Sequence, residues 1–63
     1  MSSYYKQDGI ECIDIIEAYD LGFCLGNVVK YVLRAGRKTE DELEDIQKAL
    51  WYLMRYRESL AQD

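Results

Sequence analysis

The sequence predicts an all-α fold of three helices, over about 9–19, 23–35 and 40–61, assembled into a helical oligomer. Three observations predict it. The 63 residues contain no proline and are mostly good helix formers. Apolar residues recur at helical spacing in three successive stretches. Between those stretches stand glycines and short polar runs of the kind that stop and start helices.

Residues 1–8 show no clear period and read as an N-terminal arm; 9–63 read as a single helical domain. Asp8 looks like an N-cap, with Glu11 three residues on as its capping-box partner. Ile10, Ile13, Ile15 and Ile16 then supply an apolar stripe up to about Tyr19. Gly22 is placed for a left-handed turn that ends this first helix. In the second helix Leu25, Val28, Val29, Val32 and Leu33 fill one broad face, and Gly36 terminates it. Gly26 lies inside that helix, where glycine costs roughly 1 kcal/mol against alanine. It signals either a tolerant first turn or the close approach of another helix or a ligand. The third helix has the strongest pattern. Thr39 and Glu42 form a Thr-x-x-Glu capping box, and Glu40 and Asp41 suit the positive end of the dipole. Leu43, Ile46, Leu50, Leu53 and Leu60 make a heptad-like seam on a helix roughly 30 Å long at 1.5 Å per residue.

A chain this short buries only about 60% of its unfolded surface, so its core needs a supplement. The sequence has no His, and Cys12 and Cys24 stand alone within apolar helical patterns. They read as buried thiols rather than as zinc ligands or a disulfide. Self-association is the supplement that remains, and the far end of the third helix is expected to pack on another chain. No stretch reads as a leader or a membrane span, so a cytoplasmic location is expected, with no membrane partner. The net charge of −4 disfavours non-specific nucleic-acid binding. Yet Lys30, Arg34, Arg37 and Lys38 form a run uninterrupted by acid, followed by acidic crowding from Glu40 to Asp45. A local basic site on an acidic chain suits a small anion better than a long polyanion.

Two polar stripes carry the candidate chemistry. Asn27, Lys30, Tyr31 and Arg34 stand at i, i+3, i+4 and i+7 on the second helix. Asp45, Lys48, Tyr52 and Arg55 do the same on the third, with Trp51 beside them. If the two helices pack antiparallel, the stripes flank one groove offering cations for phosphate, rings for stacking and an amide for hydrogen bonding. The alternative is that both are solvated faces whose charges pair locally. Glu11 and Asp14 share a face and are weak candidates for a hard cation such as Mg²⁺; they can equally neutralise Lys30 and Arg34. Gly36-Arg37-Lys38-Thr39 echoes a P-loop ending but lacks the glycine loop and strand before it. With no His and no partner for an activated Cys, triad chemistry is disfavoured.

Leu25-Gly26-Asn27 with Lys30-Tyr31 and Arg34-Ala35-Gly36-Arg37-Lys38, followed by Lys48-Ala49-Leu50-Trp51-Tyr52-Leu53 and Arg55, resembles the SaV-like family of small bacteriophage proteins. The resemblance also takes in Ile10-Glu11-Cys12-Ile13-Asp14, and runs from about Tyr4 to Arg55. That family is of unknown function and often carries the label nucleotide kinase. It is similar to part of a longer coliphage kinase that phosphorylates deoxynucleoside monophosphates without a P-loop. The resemblance implies nucleotide binding at the two stripes. Lys30, Arg34, Arg37 and Lys38 would hold phosphates; Tyr31, Trp51 or Tyr52 would stack the base; Asn27 would read its edge; Lys48 and Arg55 complete the set. On this reading Arg34→Ala abolishes binding with helix content unchanged. The family usually begins His-Tyr-Lys, where this chain has Tyr4-Tyr5-Lys6. Tyr4 cannot serve as an acid or base near neutral pH as His can, which bears on catalysis more than on binding. Two other functions are weighed against a kinase: a non-catalytic binder that sequesters a host nucleotide signal, and a helical module that docks on a host protein.

Overall fold

The computed structural model describes residues 9–37 and 40–62. They form three helices and no strand: α1 (Cys12–Ala18), α2 (Phe23–Ala35) and α3 (Glu42–Ala61). This is the all-α architecture expected from the helical spacing. The arm and the Asp8 cap lie outside the described residues, as do Lys38 and Thr39.

Helix α1 begins three residues later than its sequence signal. Gly9 has φ +82, which a right-handed helix cannot pass through. The capping box therefore moves inward. Glu11 is the N-cap, and its backbone N–H donates to the Asp14 carboxylate at 2.8 Å. The end of α1 is also set by a different residue. Asp20, not Gly22, takes the left-handed conformation, with φ 55. The Leu21 N–H donates to the Ile16 carbonyl at 2.9 Å and the Asp20 N–H to Glu17 at 3.2 Å. That pair of bonds is a Schellman motif, and Asp tolerates its left-handed position better than most residues. Gly22 is instead the extended N-cap of α2, its carbonyl accepting the Gly26 N–H at 2.8 Å.

Helix α2 covers the expected residues. Gly36 is its C-cap but stays right-handed, at φ −81, so the helix ends without a left-handed turn. Gly26 is buried because α1 crosses there. A Cβ at Gly26 would lie 3.3 Å from Ile16 Cδ1, so the glycine marks a close approach between helices. Helix α3 starts at Glu42 rather than about residue 40. Asp41 is its N-cap, and the first turn carries Glu42, Glu44 and Asp45.

Helix α2 packs on both α1 and α3. Pairs across α2 and α3 run in opposite order, Arg34 beside Asp45 and Phe23 beside Tyr52, so the two are antiparallel. The face of α3 turned to α2 carries Asp45, Ala49, Tyr52 and Tyr56, at i, i+4, i+7 and i+11. Among the described residues the buried apolar ones are Cys12, Ala35 and Ala49, and no large side chain is fully buried. The seam of α3 lies elsewhere, exposed at Leu43, Ile46, Leu50, Leu53 and Leu60. No helix among the described residues is long and apolar enough to cross a membrane.

Candidate functional site

The short link between α2 and α3 turns the two polar stripes toward each other. Their residues meet as an aromatic and cationic cluster rather than lining an empty cleft. The Tyr31 and Tyr52 rings stack across the helix pair, with centroids 6.1 Å apart and planes inclined by 13°. The Trp51 ring stands edge-on to Tyr52 at 5.0 Å. Two ammonium groups flank the Tyr31 ring: Lys30 Nζ at 4.5 Å and Lys48 Nζ at 5.4 Å from its centroid. Both distances are within cation–π range, so the Tyr31 ring attracts both cations. Lys48 also pairs with Glu44 at 3.4 Å, one turn back on α3. Trp51 remains 60% exposed and presents ring surface outward.

One aromatic of this cluster escapes sequence reasoning. Phe23 packs edge-on to Tyr52 at 5.8 Å and is itself largely exposed. As the first residue of α2 it reads as a boundary. It stands four before Asn27, however, so it extends the same helical stripe by one turn, and that spacing was the signal to use.

The remaining candidates divide. Asn27 sits in the stripe, but its side-chain amide donates to the Phe23 carbonyl at 2.9 Å. Arg34 turns into the helix interface, where its Nε donates to Asp45 Oδ1 at 3.4 Å. Asp45 is only 3% exposed, and its Oδ2 has no hydrogen-bond partner among the described residues. Arg34 is thus the countercharge of a buried carboxylate. Arg55 lies on α3 one turn beyond Trp51 and approaches Glu58 at 3.8 Å. With Met54 they line an open depression of about 410 Å³. Arg37 is exposed just past α2. Lys30, Tyr31, Lys48, Trp51 and Tyr52 are therefore the five candidates brought together. Such a cluster can grip an anion and stack a planar ring.

The acidic candidates have other work. Asp14 caps the Glu11 N–H, and the described residues contain no group of three or more Asp, Glu, Cys or His able to hold a metal ion. Both cysteines are free thiols. Cys12 is buried, which pushes its thiol above its usual pKa, while the Lys30 ammonium pulls the other way. The thiol is consequently protonated and a poor nucleophile near neutral pH. Cys24 is half-buried.

Residues 1–54 match the family described as a protein of unknown function, DUF3310. The chain belongs to that family. This DUF3310 chain is also similar to the Gene 1.7 protein of Enterobacteria phage T3, 42% identical over 57 residues. The match covers 78% of the chain but spans only 34% of the phage protein. That relative agrees with the phage kinship drawn from the sequence. No solved structure matches the chain.

Proposed function

We propose that this chain binds a nucleotide on the α2–α3 face. Lys30 and Lys48 contact phosphate, and the exposed ring of Trp51 stacks the base. The observation that carries this reading is the Tyr31 ring flanked by two lysine ammonium groups and stacked on Tyr52. Aromatic stacking holds a base for roughly 1–3 kcal/mol, and the lysines add charge where the ring contributes none. The sequence resemblance to nucleotide kinases supports the same ligand class. Phosphoryl transfer by positioning and charge stabilisation alone is the activity that resemblance suggests.

The test is incubation of the purified chain with a mixture of ribo- and deoxynucleotides, cyclic ones included, with and without Mg²⁺. Filtration separates retained from free species, and mass spectrometry identifies both. Retention that is lost in Lys30→Ala, with helix content unchanged, is the expected result. New diphosphates in the free pool would make the chain a kinase; a retained, unchanged ligand would make it a sequestering binder. No retention and no product would overturn the proposal and favour docking on a host protein.

A further inference from the structure

Among the described residues, nothing covers the heptad seam on the outer face of α3. Leu43, Ile46, Leu50, Leu53, Arg57 and Leu60 follow one another at alternating spacings of three and four residues. The five apolar members are between 39% and 70% exposed, and α2 occupies a different face of the helix. An open groove of about 440 Å³ runs along the second half of this seam. We propose that a second copy of this chain covers it, through antiparallel pairing of α3 with the same helix of the partner.

Three observations select that occupant and that direction. The seam reads alike from either end, since its spacings are symmetric about a point between Trp51 and Tyr52. Antiparallel pairing thus sets Leu43 against the partner's Leu60, Ile46 against the partner's Arg57, and Leu50 against the partner's Leu53. Every layer is matched over the full helix, and the contact is self-complementary as a two-fold interface requires. Charge makes the second selection. The first turns of α3 carry Glu42, Glu44 and Asp45, and its far half carries Arg55 and Arg57 against the single acid Glu58. Antiparallel pairing brings each acidic end beside a basic one. Parallel pairing would set like ends together and face Arg57 with the partner's Arg57 in one layer. Third, Arg57 is the one polar member of the seam and makes no ion pair among the described residues. In the antiparallel register it lies one turn from the partner's Glu42. A single polar residue in a seam fixes direction and register in this way.

Sedimentation equilibrium of the full chain gives the first test. The expected mass is an even multiple of the 7.4 kDa chain. Leu50→Glu is expected to shift it down to the single-chain mass, or to half of a larger even assembly, while Arg37→Glu leaves it unchanged. Direction is read by disulfide trapping in a chain carrying Cys12→Ala and Cys24→Ala, with circular dichroism confirming its helix content. Leu43→Cys and Leu60→Cys chains should cross-link when mixed under oxidising conditions and not when oxidised separately. Cross-linking of Leu43→Cys with itself would overturn the antiparallel pairing. A monomeric native chain, or an assembly that Leu50→Glu leaves intact, would overturn the interface.

Discussion

The two faces of α3 reverse the usual arrangement of an amphipathic helix. Its inward face meets α2 through a carboxylate, two tyrosines and one alanine; its outward face is leucine and isoleucine. An amphipathic helix normally buries its apolar stripe and solvates the polar one. Here the polar stripe holds the chain to itself, and the apolar one is left for another surface. The difference teaches that the contacts among the described residues are specific but carry little apolar burial.

The largest effect should come from breaking the inward face at its buried charge. Removing one member of a buried pair leaves the other uncompensated at a cost of 3–5 kcal/mol in the fully buried limit, roughly. Arg34 keeps a side chain 35% exposed, so Arg34→Ala is expected to cost less, about 2–3 kcal/mol. Arg34→Met combined with Asp45→Leu should recover most of that loss, because neither charge is then stranded. Urea unfolding midpoints of the three chains check this. A single variant as stable as the native chain would mean that water reaches Asp45 and the pair is ornamental. The same argument changes what Arg34→Ala can say about ligand binding, since lost affinity would partly report lost fold. Lys30→Ala is the cleaner probe.

Next in size is Tyr52→Ala, which removes the ring contacted by Tyr31, Phe23 and Trp51 together. A loss of about 2 kcal/mol is expected from apolar area and edge contacts. Because this contact lies within one chain, the loss should not depend on protein concentration.

Much of this was legible in the sequence. Helical spacing found all three helices, and an antiparallel packing of the last two was the condition under which their stripes would flank one groove. That Tyr31 and Tyr52 stack on each other rather than line an open groove was not legible. What stayed hidden was local or competitive. Glycine two residues away drew attention from Asp20, although Asp also tolerates the left-handed turn. Asp45 looked like one more acid in the first turn of a helix, because spacing does not distinguish a dipole-stabilising carboxylate from a buried one. The heptad seam was visible as a pattern, but periodicity names the residues of a face without naming its partner.

A smaller and different effect is expected from Leu53→Ala on the outward face. Leu53 is 45% exposed within the chain, so truncating it removes little internal packing. If the seam is covered by a second copy, the loss appears through association, and the melting temperature falls more at low protein concentration than at high. Melting curves over a hundredfold dilution separate the two faces: Tyr52→Ala should give a constant offset, Leu53→Ala a widening one.

The smallest effect concerns Cys12, where α1 meets α2. Burial raises its thiol pKa in the folded chain above the unfolded value, and the Lys30 ammonium offsets only part of that rise. The folded state therefore keeps the proton to higher pH than the unfolded state does. The stability this contributes is fully present below the unfolded thiol value of about 8.5, and is lost as pH rises through the higher folded value. Lysines and tyrosines titrate in the same range, so the comparison is between the native chain and Cys12→Ala under identical conditions. At about pH 7 the native chain should be the more stable, because alanine leaves part of the buried site unfilled. At about pH 10 the gap should narrow, since only the native chain has a buried thiol to ionise. A gap that stays constant would mean that α1 opens readily enough to ionise Cys12 in water. That would place the α1–α2 contact, rather than either face of α3, as the weakest part of the fold.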